Sequence, residues 1–190
     1  MKIITVEIKG ASPYSQSGAI QSTKETGEGA EAFEARTWRE RMHVGADGLV
    51  FLPPMAIKNC LSEVAKYLGE SVPNKGKATY TKHFEAGIMV AAEWRLTSGG
   101  KSIRAQDVKG ETLFVPANGQ RGSGKRVWRT FPVFPVWEAA GEIYLLDPVL
   151  IEKPEKVREY LEHAGKFIGI GRFRPRNNGY YGRFEVIKFE

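Results

Sequence analysis

Cysteine is almost missing from this sequence: Cys60 stands alone among 190 residues. One thiol makes no intrachain disulfide, which fits a reducing compartment. Its setting in AIKNCLSEV marks it as a buried packing residue. Long apolar runs are absent too, and nothing approaches the roughly 18 apolar residues that cross a bilayer. The opening MKIITVEIKG alternates like a strand and lacks the apolar stretch of a signal peptide. A cytoplasmic location with no membrane partner is the resulting expectation. Histidine is scarce, with only His43, His83 and His163, and no Cys/His cluster has metal-ligand spacing. No metal and no cofactor is therefore expected. There is no internal repeat and no boundary for a second domain, so residues 1–190 read as one domain whose 42% apolar content suffices for a core.

Positive charge is what the chain has in excess. The formal net charge is +6, and a basic surface attracts polyanions and releases counterions on contact. The distribution says more than the total. Residues 116–130 carry Arg121, Lys125, Arg126 and Arg129 with no acid. Residues 166–190 carry Lys166, Arg172, Arg174, Arg176, Arg183 and Lys188 against Glu185 and Glu190. Acids gather instead at Glu25, Glu28, Glu31 and Glu34. The basic segments read as loops.

Periodicity supplies a coarse order of elements. Ile4, Val6 and Ile8 alternate with polar residues as in a half-buried strand. ASPYSQSG is turn and loop, and residues 16–35 are small, polar and Gly/Glu-rich, which predicts an exposed flexible excursion. Pro53 and Pro54 open the clearest helix, with Ile57, Leu61, Val64, Ala65 and Leu68 at helical spacing and Gly69 as its stop. Residues 83–96 read as a strand. Residues 111–137 read as two arms, 112–115 and 127–137, around a flexible basic tip, with Pro132 and Pro135 confining the second arm to a sheet edge. A strand over 142–150, a proline-led helix over 154–164 and a last strand over 180–189 complete the order. Strand, helix, strand, strand, helix, strand is the α+β, ferredoxin-like (RRM-type) β-α-β-β-α-β core, here with an inserted β-ribbon.

The segment GIGRFRPRNNGYYGRFEV is the most informative. Gly169, Gly171, Gly179 and Gly182 bracket Arg172, Arg174, Arg176, Asn177, Asn178 and Tyr180, and Arg183 follows. Glycine lets a backbone come close to another chain, so its N–H groups are candidate donors to phosphate oxygens. The arginines supply charge and forked donors. Phe173, Tyr180 and Tyr181 offer rings for stacking on the splayed bases of a single strand. The competing account is a surface loop with some aromatics in the core, and the last strand's alternation turns at least one tyrosine inward.

This glycine-rich loop, lying after the second helix and leading into the last strand, resembles that of the CRISPR-associated RAMP superfamily. Within it, backbone subunits that assemble along guide RNA carry a ribbon, or thumb, between the middle strands, and residues 112–137 look like such a thumb. KGASPYSQSG likewise resembles the polar loop those subunits place near RNA. The resemblance covers most of the chain as an order of elements. A small stand-alone relative, from a phage or other mobile element, is similar to the same pattern.

Two nucleotide-binding readings fail on their parts. GQRGSGKR matches the phosphate-binding loop at Gly119, Gly124 and Lys125, but Arg126 replaces the Ser or Thr that holds magnesium, and no helix follows. GIGRFR lacks a third glycine in place and precedes a strand. Trp128, between Arg126 and Arg129, is a candidate for stacking on a base or anchoring the ribbon to a neighbour, while Trp38, Trp94 and Trp137 read as core. No residue emerges as catalytic. Asp47 in HVGADG reads as a turn former.

The expected function is backbone binding of single-stranded nucleic acid, RNA before DNA, by a non-enzyme that self-associates or assembles with related subunits. Two rivals share the order of elements: an endoribonuclease using His43 or His83 as general acid or base, and a protein-protein decoy that imitates a backbone subunit.

Overall fold

A computed structural model describes residues 1–119, 122 and 124–190. Strand β1 (Lys2–Gly10) buries Ile4, Val6 and Ile8 and turns Thr5 and Lys9 outward, as period two requires. It lies between β9 (Glu138–Leu145) and β10 (Phe184–Phe189), antiparallel to both. Next to β9 comes β5 (Trp94–Ser98), and the short β3 (Phe51–Leu52) pairs with β5. Strands β4 (Ile88–Met89) and β6 (Lys101–Ser102) add two-residue pairings to β9 and β5. The backbone order across this sheet is β10-β1-β9-β5-β3. The protein is thus mixed α+β with antiparallel sheets.

Two long helices cover one face. In α2 (Pro54–Leu68), Ile57, Cys60, Leu61, Val64 and Ala65 are buried, and Gly69 ends it in the left-handed conformation at φ 58°. In α5 (Pro154–His163), Val157, Tyr160 and Leu161 are buried. Both helices join the same core as Ile4, Val6, Ile143 and Leu145 of the sheet. No helix among the described residues is long and apolar enough to cross a membrane. The opposite sheet face carries mixed charge, with Glu7, Arg95 and Glu138 lining one shallow depression.

The ribbon rises from the connection between β5 and β9. Its strands, β7 (Lys109–Pro116) and β8 (Arg126–Phe134), pair in unbroken register from Lys109↔Val133 to Pro116↔Arg126. On its other side β8 pairs with β2 (Tyr14–Ser15). The second arm is therefore the middle strand of a three-stranded sheet, not an edge. Pro132 is tolerated because β2 reaches only Val133 and Phe134, so no ladder bond is asked of the proline nitrogen on that side.

Four other expectations give way. Within the expected excursion, residues 30–37 form α1 (Ala30–Thr37), anchored by buried Glu34 and Thr37. Residues 81–86 form α3 (Thr81–Ala86) instead of starting a strand, because a helical turn lets Phe84 stack on Tyr160 at 4.4 Å between centroids. The strand expected to run to Leu150 stops at Leu145. There Asp147 accepts a hydrogen bond from the Val149 backbone N–H and Pro148 starts α4 (Pro148–Glu152), proline being suited to a first helical turn. The last strand starts at Phe184, not at 180, since Arg183 turns its carbonyl to the backbone N–H of Ala11 at 2.9 Å.

Candidate nucleic-acid interface

The glycine-rich segment is a folded knot. Helix α5 runs into a single π-helical stretch, Ala164–Ile168, and Gly169 leaves it at φ 69°. Three of the four glycine amides thought free to meet phosphate are already committed within the protein. The N–H of Gly169 donates to Ala164 at 2.8 Å, that of Gly179 to Arg174 at 3.0 Å and that of Gly182 to Pro13 at 2.8 Å. These glycines serve close packing: a Cβ on Gly179 would lie 1.7 Å from the Phe173 carbonyl oxygen, and one on Gly182 would lie 1.9 Å from that of Ile170. A Cβ on Gly171 would strike Ser15 and the Tyr14 ring. The phosphate-cradle account of the loop is corrected accordingly.

The loop's cations are also divided. Arg174 pairs with Glu63 of α2 at 2.7 Å, and Arg176 reaches back over Tyr67 of the same helix. Asn177 and Asn178 are exposed at a tight turn, with Asn178 at φ 57°. Tyr180 is 62% exposed, while Tyr181 is half-buried and donates its hydroxyl to Glu111 of the ribbon. One tyrosine does turn inward. Arg183 is half-buried, its backbone N–H donating to Ser12 at 3.0 Å.

Arg172 goes elsewhere. Its guanidinium stacks 3.5 Å from the centre of the Phe131 ring on the ribbon and 4.2 Å from that of Phe173. The residue is 91% buried, and both terminal nitrogens are enclosed without a hydrogen-bond partner. Burial pulls its pKa below arginine's usual value, and attraction to Tyr181 and Glu111, with a hydrogen bond to the Tyr181 hydroxyl oxygen, offsets part of that.

On the ribbon, Lys125 and Arg126 are exposed next to the tip, while Arg121 lies outside the described residues. Phe114 and Trp128 face each other across the two strands, 5.1 Å between ring centroids, and both remain open to solvent. Arg126 lies over Phe114 and donates to its carbonyl. Arg129 points toward the ribbon's root, 3.8 Å from Glu34.

That root holds residues the composition did not flag. Arg41 is buried, pairs with Glu34 at 2.8 Å and donates to the Thr130 carbonyl at 3.2 Å. Glu34 in turn accepts from the Thr130 backbone N–H at 2.6 Å. Together Arg41, Arg129 and Arg172 line a cleft of about 470 Å³ between ribbon, glycine loop and residues 17–20, with Phe131 and Phe173 as apolar walls. Among the described residues, the lining contains no Asp or Glu. Arg41 and Glu34 lie in mixed-charge stretches, where no local pattern distinguishes a buried pair from a solvated one.

The histidines do not converge. His43 lines a second cleft, half-buried, with burial lowering its pKa. His83 lies 2.9 Å from Asp147, the residue that caps α4, and His163 stacks on Phe167. Asp47 bonds the Leu49 N–H within its turn and pairs with Arg95, which holds its carboxyl below the usual range. Among the described residues no group of three His, Cys, Asp or Glu is placed to hold a metal.

No family model matches the chain, and none of the curated proteins does. Solved structures do. A chain of the type III-B Cmr-beta complex bound to cognate target RNA superposes with a TM-score of 0.59 at 12% identity. The match covers 99% of this chain but 59% of that one, so this chain spans well under two thirds of its length. Cmr6 from Pyrococcus furiosus gives a TM-score of 0.45 at 13% identity, covering 97% of both chains. A chain of a CRISPR RNA-guided surveillance complex gives 0.38 at 9%, covering 97% of this chain and 66% of that one. The chain therefore shares its fold with the chain of the Cmr-beta complex.

Proposed function

We propose that this protein binds the backbone of single-stranded nucleic acid, RNA before DNA, without cleaving it, and assembles along the strand with copies of itself or related subunits. The observation that carries this is the cleft walled by Arg41, Arg129 and Arg172 where the ribbon meets the glycine loop. Three arginines stand against one carboxylate, Glu34 behind the lining, so the cleft keeps an excess of positive charge that favours a polyanion, and flanking rings suit unstacked bases. The strand order β10-β1-β9-β5, with α2 and α5 on one face, supports a ferredoxin-like core, and the ribbon acts on that core as a thumb. The open sheet face, mixed in charge, is a poor RRM-style platform, which moves the interface to the ribbon side.

Lys125, Arg126 and Trp128 extend the contact along the ribbon. Asn177, Asn178 and Tyr180 form an outer rim. Arginine contacts of this kind read phosphate and not sequence, so base preference is slight. A chain of the Cmr-beta complex, which is bound to target RNA, has this fold, and that supports RNA as the first ligand to test.

Fluorescence anisotropy with a labelled single-stranded RNA and the matching DNA, across a salt series, is the direct test. Affinity for RNA should fall steeply as salt rises, by roughly one power of ten or more between about 50 and 200 mM. A denaturing gel of the same mixtures should show uncut strand. Absence of binding to either nucleic acid at low salt overturns the reading, and cleavage lost in His43→Ala replaces it with a nuclease.

A further inference from the structure

The stretch that carries Glu25 and Glu28 follows directly on residues 17–20, one wall of the ribbon-side cleft. The chain is pinned firmly on both sides of residues 19–29. Before them, the buried Gln16 side chain donates to the Phe51 carbonyl and accepts from the His43 backbone N–H, both at 2.8 Å. The Gly18 N–H donates to the Arg41 carbonyl at 2.9 Å. After them, Glu34 of α1 is buried against Arg41 and the Thr130 backbone N–H. Breaking a buried pair of that kind is strongly destabilising, so α1 stays in place.

The stretch between these anchors is held differently. None of residues 19–29 is buried, so hydrophobic burial contributes little to its position. Among the described residues, the hydrogen bonds that fasten residues 21–28 to the rest of the chain end on two side chains. Glu40, in the 3-10 turn Trp38–Arg41, accepts from the backbone N–H groups of Gln21 and Ser22 at 2.8 and 2.9 Å and from the Ser22 hydroxyl at 2.6 Å. The Ser22 bonds hold the Glu40 carboxyl below its usual range, so it is charged at neutral pH. Arg36, in the last turn of α1, pairs with Glu28 at 2.8 Å and Glu25 at 3.7 Å and donates to the Thr23 carbonyl at 3.1 Å. Lys24 rests 6.0 Å over the Phe33 ring. Contacts of this kind near the surface are individually weak, and a segment with few buried contacts lies at the low end of local stability.

We propose that residues 19–29 are a strap that opens as a unit while the rest of the fold stays closed, that Glu40 and Arg36 are its two fastenings, and that its release swings Ile20 out of the cleft wall. Ile20 lines the cleft beside Ser17 and Gly18, so an open strap widens the space between the ribbon and residues 17–20. At the far end, Gly27, at φ 80°, and Gly29 have open space around them, which leaves the backbone free to turn there. The device holds whatever the cleft binds: its wall is movable on one side and fixed on the ribbon side.

Lys24 is the single lysine or arginine in residues 10–35, so trypsin cutting after Lys24, read by mass spectrometry, reports opening of the strap. Glu40→Ala removes three bonds and should speed that cut about tenfold, and Arg36→Ala should speed it severalfold. Ser22→Ala, which removes only the hydroxyl bond, should give a smaller rise. Glu31→Ala, at an exposed acid of the same helix, should leave the rate within about twofold of wild type. Raising salt from about 50 to 500 mM should speed the wild-type cut and have less effect on Arg36→Ala. Hydrogen exchange of β1 amides should stay as slow as in wild type throughout. The wall is read with Ile20→Cys: Cys60 is enclosed, so the new thiol is the one that reacts with a maleimide, and adding Glu40→Ala should raise its labelling rate about tenfold. Cutting after Lys24 that keeps its wild-type rate in Glu40→Ala, or in Ser22→Ala where Glu40→Ala melts early, overturns the fastening. Faster cutting with an equal rise in β1 exchange means global unfolding and overturns the strap. Faster cutting without faster labelling at position 20 overturns the movement of the cleft wall.

Discussion

The ribbon tip and the glycine-rich loop are made of much the same residues and put them to opposite uses. At the tip, Gly119, Gly122 and Gly124 take positive φ with open space around each position. In the loop, Gly179 and Gly182 press against backbone carbonyls at distances no other residue tolerates. The tip's Lys125 and Arg126 are exposed, while the loop's Arg172 is enclosed and its Arg174 is paired with Glu63. Glycine and arginine together are therefore not a binding signature by themselves. In one place they make an exposed cationic finger, and in the other a close-packed wall that encloses Arg172 and pairs Arg174 with Glu63.

Stability measurements should separate the two regions most sharply. Gly182→Ala adds a methyl where the Ile170 carbonyl already stands, at φ 75°. We expect a loss of about 3 kcal/mol, or roughly 6–12 °C in Tm by thermal denaturation. Gly122→Ala, at φ 78° in open space, should lose only the left-handed backbone penalty of about 1 kcal/mol. Equal losses at the two positions would erase the distinction between wall and finger.

Binding should divide them the other way. Trp128→Ala removes a ring that is 57% exposed, so Tm should change little while RNA affinity drops about tenfold, the scale of one base-aromatic stack. An unchanged Kd in anisotropy would mean that the ribbon's aromatic face meets something other than bases.

The smallest expected effect joins the two regions at Tyr181. Burial first, and then its hydrogen bond to Glu111, push the Tyr181 phenol up to about 12 from 10.0. A raised phenol pKa stabilises the folded state below pH 10, and that contribution drains away as pH climbs from 10 toward 12. Tyr181→Phe should therefore melt somewhat lower than wild type at neutral pH and show a shallower decline between pH 10 and 12. Tyr14 and Tyr160, also raised by burial, form the common background. An identical decline in both proteins would mean that the Tyr181–Glu111 link contributes nothing to holding loop and ribbon together.

Much of the scaffold was legible locally. Period-two alternation marks β1, and proline at the start with Gly69 at the end marks α2, since both signals act through the backbone of a few adjacent residues. The basic ribbon was legible from turn chemistry and charge, down to the exposure of Trp128. Elements whose shape depends on distant partners were not. Helix α1 buries only Glu34 and Thr37, and what holds it is a carboxylate reaching Arg41 and the ribbon backbone at Thr130. Helix α3 exists because Phe84 meets Tyr160, which lies far along the chain.

The sequence by itself determined the charge, its segregation into two glycine-rich segments, the helix ends and the alternation of the sheet, because these follow from neighbouring residues and backbone sterics. Only the tertiary structure decided which cations stay exposed and which are enclosed or paired. Arg172, Arg174 and Arg176 are two residues apart and look equivalent in one dimension. Packing sends Arg172 onto the Phe131 and Phe173 rings, Arg174 to Glu63 and Arg176 over Tyr67, since desolvation and pairing depend on what the folded chain brings alongside each side chain.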